Sequence, residues 1–279
     1  MPRTKTIREE PQVQTTNPYM TTAAKVLAFK RESSDCFMIR VDYKSKHDPG
    51  QFVQLYIPGI GEAPISIASY SQEFLDLNIR EVGNVTKSLS KLKKGDIVHI
   101  RGPYGKGYPM EKLFGKELII IGGGSGVAPL KGIVSYVDKH KANFGEVTLY
   151  FGFRTPEDIL FKEEMRQWRN KYQLNLSVDK NPNKARISCD VCFVTNLVEK
   201  AKLNPENKIV FICGPPMMMN ITITTLKNKG FKEDQIYVST ERLMHCALGM
   251  CGHCMIHGKY TCLDGPVFRY DEISQYKND

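Results

Sequence analysis

The sequence predicts a multidomain chain: an antiparallel β-barrel, then an α/β domain on a parallel sheet, then a small cysteine-rich C-terminal segment. Three observations carry this. Short apolar runs separated by turn residues fill the stretch from Thr22 to about Phe114. Beyond Gly115 strand-like runs alternate with runs of helical period. Near the end Cys246, Cys251, Cys254 and Cys262 stand four, two and seven residues apart, with Gly249, Gly252 and Gly258 nearby.

Length and composition agree. A chain of 279 residues with 41% hydrophobic and 25% charged residues suits two globular domains and an appendage. No apolar run reaches the roughly 18 residues that span a bilayer, and Met1–Gln14 lacks the apolar core of a signal peptide. Half of the eight cysteines sit in one cluster, which suits a reducing compartment, so a cytoplasmic, membrane-free protein is expected. The net charge of +9 spreads over the chain, with no basic block interleaved with aromatics, and a nucleic-acid partner is not expected.

In chain order, residues 1–20 read as a flexible arm of proline, threonine and charge. The barrel, over 21–114, has strands expected at Ala24–Phe29, Cys36–Val41, Gln51–Ile57, Ile65–Ala68, Phe74–Arg80 and Asp96–Ile100. Pro49-Gly50, Pro58-Gly59 and Lys94-Gly95-Asp96 mark turns, and a short helix is expected over Thr86–Leu92. The α/β domain, over 115–239, starts with the apolar strand Glu117–Ile121. A helix carrying Leu130, Ile133, Val134 and Val137 on one face follows. A strand at Val147–Phe151 leads to a helix expected to be capped by Thr155, with Phe161, Met165 and Trp168 as a core stripe. Strands at Leu174–Val178, Ile209–Cys213 and Gln235–Val238, and a helix from Met217 to Lys229 stopped by Gly230, complete the pattern. Residues 240–279 form the cysteine segment.

The four-two spacing with a fourth cysteine downstream is the plant-type pattern for a [2Fe–2S] cluster. Four thiolates must converge on two irons, and glycines let the backbone approach the sulfurs. Four thiolates also suit tetrahedral zinc. His245, His253 and His257 lie nearby, as donors to the sulfurs or as surface residues.

The first parallel strand runs into Gly122-Gly123-Gly124-Ser125-Gly126-Val127-Ala128-Pro129 and then a helix. Such a turn presents free N–H groups and the positive helix end to a phosphate, and glycine admits a pyrophosphate closely. A second loop, Cys213-Gly214-Pro215-Pro216, also follows an apolar strand. A pyridine nucleotide delivers two electrons together and a [2Fe–2S] cluster takes one, so a flavin in the barrel is the expected converter.

At these residues the sequence resembles the ferredoxin–NADP reductase superfamily, in its branch with a C-terminal [2Fe–2S] segment. The resemblance implies NAD(P)H contacts at Gly122, Gly123, Gly124, Gly126, Ala128, Pro129, Cys213, Gly214 and Pro215. It implies FAD contacts at Pro64, Ile65, Ser66, Asn78, Ile79, Arg80, Gly83, Val85 and Thr86. It makes Cys246, Cys251, Cys254 and Cys262 the cluster ligands. Ala63 and Ile65 replace the arginine and tyrosine of the family's R-x-Y-S flavin motif, and Arg80 is the candidate replacement charge. Arg101-Gly102-Pro103-Tyr104-Gly105 resembles the turn that closes the barrel.

Within the branch the best match is the B-subunit family of anaerobic sulfite reductases. It rests on 61–66, 101–109, 126–129, 161–165, 214–216, the four-two-seven spacing and Asp264–Phe268. That implies partner subunits with iron–sulfur clusters and sirohaem. The alternatives are the equivalent subunit of a sulfhydrogenase or dihydroorotate dehydrogenase and, in a different class, a zinc-stabilised binding module without flavin. Cys189-Asp190-Val191-Cys192 departs from the family pattern; two ordinary thiols near a strand are the plainer reading. Arg154 is a candidate for a nucleotide 2′-phosphate.

Overall fold

A computed structural model describes residues 17–256 and 258–274. Most of the expected N-terminal arm, and His257, lie outside the described residues.

Six strands build the first domain: β1 (Thr22–Arg31), β2 (Cys36–Val41), β3 (Phe52–Ile57), β4 (Gly61–Ser66), β5 (Leu75–Arg80) and β6 (Ile97–Tyr104). They pair antiparallel in the order β4-β3-β6-β1-β2-β5, and Ile67 bridges Leu77 where the two ends of the sheet meet. Alternation decides the faces. Phe37, Ile39, Val53, Leu55, Leu75, Leu77, Ile79, Val98 and Ile100 fill the interior at zero exposure. Helix α1 (Asn84–Leu89) lies on β3 and β4. It starts earlier than its apolar period suggests, because the Thr86 hydroxyl accepts the N–H groups of Val82 and Gly83 and fixes the turn.

The second domain runs β7 (Glu117–Gly123), α2 (Val127–Lys139), β8 (Val147–Phe153), α3 (Lys162–Lys171), β9 (Gln173–Val178), β10 (Asp190–Val191), α4 (Val194–Lys200), β11 (Lys208–Cys213), α5 (Pro216–Asn228) and β12 (Ile236–Ser239). Its sheet order is β10-β9-β8-β7-β11-β12, all parallel. Strand β7 feeds both faces: Leu118 and Ile120 pack with α2 and α3 residues, Ile119 and Ile121 with α4 and α5 residues. The first core continues into the barrel through Cys36, Ala68 and Tyr108, so the two domains share it.

Three features differ from the sequence expectation. Thr155 does not cap α3: its hydroxyl donates to Asp158 across a single 3₁₀ turn, and α3 begins only at Lys162. Phe161 intervenes in the left-handed region (φ 53°), and its N–H donates to the Glu32 carboxylate of the barrel. β10 and α4 were not foreseen; the two-residue strand is too short to leave a period. After the cysteine segment, with its small hairpin β13 (Met255–Ile256) and β14 (Lys259–Tyr260), strand β15 (Val267–Arg269) returns. It pairs antiparallel with β12 as the seventh strand of the sheet.

Candidate redox site

Strand order reverses between β7 and β11, and both candidate nucleotide loops leave the carboxyl ends of those strands, with Cys213 opposite Gly122. Such a switch point opens a crevice where ligands bind in doubly wound sheets. The loops touch. A Cβ on Gly126 would fall 2.6 Å from the Cys213 carbonyl carbon and oxygen, and one on Gly214 would fall 2.7 Å from the Met218 methyl. Gly124 instead takes φ 55° and faces open space. Ala128 and Pro129 are buried in the first turn of α2, whose N-terminus points from this turn. Gly122, Gly123, Gly126, Cys213, Gly214 and Pro215 are thus brought together. Burial pushes the Cys213 thiol far above its ordinary range, so it stays neutral.

Strand β5 reaches the same turn, touching Gly124–Gly126. It brings Asn78, Ile79 and Arg80. Ile79 points into the barrel. Asn78 is 8% exposed, yet both its amide atoms lack a partner. An amide so placed fits a ligand edge that both donates and accepts, as a flavin ring edge does. Arg80 Nε donates to Asp35 at 2.9 Å, and Arg154 Nη2 reaches the same oxygen at 3.2 Å, tying barrel to nucleotide domain. On β4, Pro64 and Ser66 alternate with Ile65, which joins the barrel interior with Ala63 against it. Gly83, Val85 and Thr86 surround the start of α1; the Thr86 hydroxyl is spent on its own turn, also donating to the Gly83 carbonyl.

Cys246, Cys254 and Cys262 are buried and Cys251 is exposed. Cys254 and Cys262 share one buried cluster, and Cys246 Sγ sits within the turn of residues 246–250 beside it. Two thiolates to each of two irons is the demand of a [2Fe–2S] cluster. Ala247, Gly249 and Gly252 take left-handed φ of 60°, 69° and 78° and turn the backbone inward. The N–H groups of Leu248 and Met250 then donate to Cys246 Sγ at 3.3 and 3.4 Å, and that of Gly249 to Cys262 Sγ at 3.2 Å. Burial opposes ionisation of Cys246, but the backbone N–H groups of Leu248, Met250 and Cys251 outweigh it and hold the thiol down to about 6. Burial and the Cys254 contact push Cys262 up to about 12. The donor set fits a thiolate cluster. His245 and His253 form an edge-on pair with ring centres 4.1 Å apart.

The segment rests on the barrel. Ala247, Cys254 and Cys262 share an apolar contact with Phe52, and Arg101 Nη1 donates to the Cys246 carbonyl at 2.9 Å. Sequence reasoning missed this role for Arg101, because its partner lies 145 residues away.

Comparison with known proteins places these observations. Residues 120–223 match the oxidoreductase NAD-binding domain, and residues 241–274 match the iron–sulfur cluster binding domain of dihydroorotate dehydrogenase B. The chain is 37% identical to the sulfhydrogenase 1 gamma subunit of Pyrococcus furiosus, over 92% of this chain and 93% of that one. It is 31% identical to a probable dihydroorotate dehydrogenase B electron transfer subunit of the same organism, over 82% of each. An NADH-dependent reduced ferredoxin–NADP oxidoreductase structure superposes with a TM-score of 0.72 at 23% identity, covering 92% of this chain and 94% of that one. A ferredoxin–NADP reductase of Neisseria gonorrhoeae, solved with FAD and NADP, gives 0.65 at 22% identity over 78% of this chain and 97% of its own.

Fold and site therefore define a ferredoxin–NADP reductase-like oxidoreductase with flavin-, NAD- and iron–sulfur-binding parts. The chain belongs to the family that holds the sulfhydrogenase gamma subunits and the dihydroorotate dehydrogenase B electron-transfer subunits. The stretch that matches the iron–sulfur binding domain, residues 241–274, contains all four cysteines. Among the described residues no helix is long and apolar enough to cross a membrane.

Proposed function

We propose that this chain takes electrons from NADH and passes them singly, through FAD and a [2Fe–2S] cluster, to a partner subunit that reduces sulfite with iron–sulfur clusters and sirohaem. The carrying observation is that the glycine turn, the unpartnered Asn78 amide and the four cysteines lie in parts of the chain that pack on one another. Bound FAD supplies the conversion from hydride to single electrons. The chain's own residues bind and orient. The turn at Gly123–Gly126 offers N–H groups to the dinucleotide pyrophosphate, and the Cys213–Gly214 loop beside it lines the nicotinamide end. Asn78 and Arg80 face the same crevice from β5, and the four thiolates hold the cluster. No side chain needs to act as acid or nucleophile. Arg154 is already engaged by Asp35 and Asp158, which supports NADH over NADPH.

The sulfite-reducing partner is supported by the four-two-seven spacing and the stretches that carry that resemblance. A second reading, the electron-transfer subunit of a sulfhydrogenase, is favoured by the 37% identity over nearly the whole chain. The test is an anaerobic absorption and EPR titration with NADH, first of the isolated chain and then of its native complex. Flavin bleaching followed by a rhombic cluster signal supports the path; a colourless chain holding zinc overturns it. Reoxidation by sulfite in a sirohaem-containing complex supports the first partner. Reoxidation by protons with release of hydrogen supports the second.

A further inference from the structure

We propose that Arg101 is a positioning residue for the cluster: with Glu62 it clamps the peptide of the first cluster ligand to the barrel and sets the electrostatics of the cluster. This rests on the reading that the cluster receives electrons from the flavin.

Strand β6 alternates Val98 and Ile100 into the barrel, so Arg101 points outward, where arginine is normally solvated. Here it is 2% exposed. Every nitrogen of its guanidinium is committed. Nε donates to Glu62 Oε1 at 2.8 Å and Nη2 to Glu62 Oε2, a bidentate pair. Nη1 donates to the Cys246 carbonyl at 2.9 Å and to the Tyr104 hydroxyl at 3.3 Å. The rings of Tyr19 and Tyr104 each lie 5.4 Å from the guanidinium carbon. Tyr104 in turn packs on Phe52, which belongs to the same buried cluster as Cys254 and Cys262. A charge sealed in this way costs desolvation that apolar packing would avoid, so stability alone is a poor reason to keep it.

The carbonyl it holds is the informative part. Residues 246–250 make one tight turn whose N–H groups at 248 and 250 point at Cys246 Sγ. Fixing the 246 carbonyl fixes the plane of the 246–247 peptide, from which the turn that carries those donors starts. Arg101 therefore acts on the cluster twice. Through the backbone it orders the N–H bonds to sulfur; through space its cation favours the cluster state carrying one more electron, while Glu62 opposes it.

The two carboxylate–guanidinium partners thus predict opposite effects. In the holoprotein, Arg101→Gln is expected to lower the cluster reduction potential and to slow cluster reduction by the NADH-reduced flavin by about tenfold. Glu62→Gln, which leaves the cation, is expected to raise the potential. Arg101→Lys keeps charge without the fork, so the potential is expected near the wild-type value while the rate stays low. Potentials come from redox titration followed by EPR, and rates from stopped flow, with flavin bleaching by NADH as the internal reference. Unchanged potentials in both Gln variants overturn the proposal. So does a shift in the same direction in both, which would mark a merely structural strut. If Arg101→Gln does not fold, Glu62→Gln still decides the sign of the shift and Arg101→Lys the loss of rate. A wild-type protein with no reducible cluster removes the electron-transfer reading itself; a normal wild type with indifferent variants removes only the role of Arg101.

Discussion

Replacing Asp76 by Asn should loosen the joint between the two domains by about 3 kcal/mol. Asp76, on β5, is 2% exposed and accepts Arg40 Nε and Nη2 at 2.7 and 3.0 Å. Its second oxygen lies 3.3 Å from Lys131 Nζ, on α2 of the nucleotide domain, whose side chain is only 8% exposed. Asn keeps the volume but removes the charge, and Lys131 is left buried beside Glu164 at 3.8 Å and the Ala68 carbonyl. Breaking a buried pair costs about 3–5 kcal/mol, and the lower end applies because Arg40 is half-exposed and turns to water. At roughly 2–4 °C per kcal/mol for a chain of this size, Tm should fall by about 6–12 °C. Thermal unfolding of the holoprotein by circular dichroism measures this. The companion variant Asp76→Asn/Lys131→Met removes the stranded cation and should recover more than half of the loss. A loss below about 1 kcal/mol, or strictly additive variants, would refute the argument.

Gly126→Ala should spare flavin and cluster content but raise the KM for NADH by about tenfold or more, because the new methyl displaces the Cys213 carbonyl 2.6 Å away. Cys189→Ser and Cys192→Ser should leave iron content and EPR signal intact, whereas Cys254→Ser should lose both. Cys189 lies against the core near α3, apart from the cluster thiols. Asp35 gives a pH prediction. Burial alone would raise its pKa, but Arg80 and Ser33 outweigh burial and hold the carboxyl below 3.8. A depressed pKa means the Arg80–Asp35–Arg154 tie stabilises fully above the unfolded value and is lost as pH falls through the folded one. Acid unfolding of Asp35→Asn should accordingly show a flatter limb below about pH 4 than wild type.

The glycine-rich turn, the Cys213–Pro216 loop and the cysteine segment were legible because each is local, its residues close together in sequence. Asn78 and Arg80 entered only through the family resemblance. What stayed hidden is set by distant partners. The carboxylate that receives the Phe161 N–H belongs to Glu32, 129 residues earlier, and a left-handed phenylalanine leaves no mark in a hydrophobic pattern. Arg101 reads as a surface residue because strand alternation says nothing of what later covers the outer face. Gln54 is similar: fully buried with both amide atoms unpartnered, on the face shared with Phe52, it offers nothing local to distinguish it. β15 was missed for the same reason, since three residues carry too little pattern to announce a strand.

That last strand changes how the cluster segment should be regarded. β12 ends at Ser239 and β15 begins at Val267 on the neighbouring rail of the same sheet, and the Thr240 N–H donates to the Pro266 carbonyl where the two come together. Topologically, residues 240–266 are one enlarged hairpin loop. Its entry and exit are side by side, so the loop can be lengthened, shortened or exchanged for another metal-binding loop while the sheet keeps its register. Terminating the chain at residue 240 is a different matter: it would strip β12 of its β15 neighbour and move the open edge of the sheet onto β12, where it is prone to self-association. The redox module is therefore interchangeable in content but not dispensable in outline.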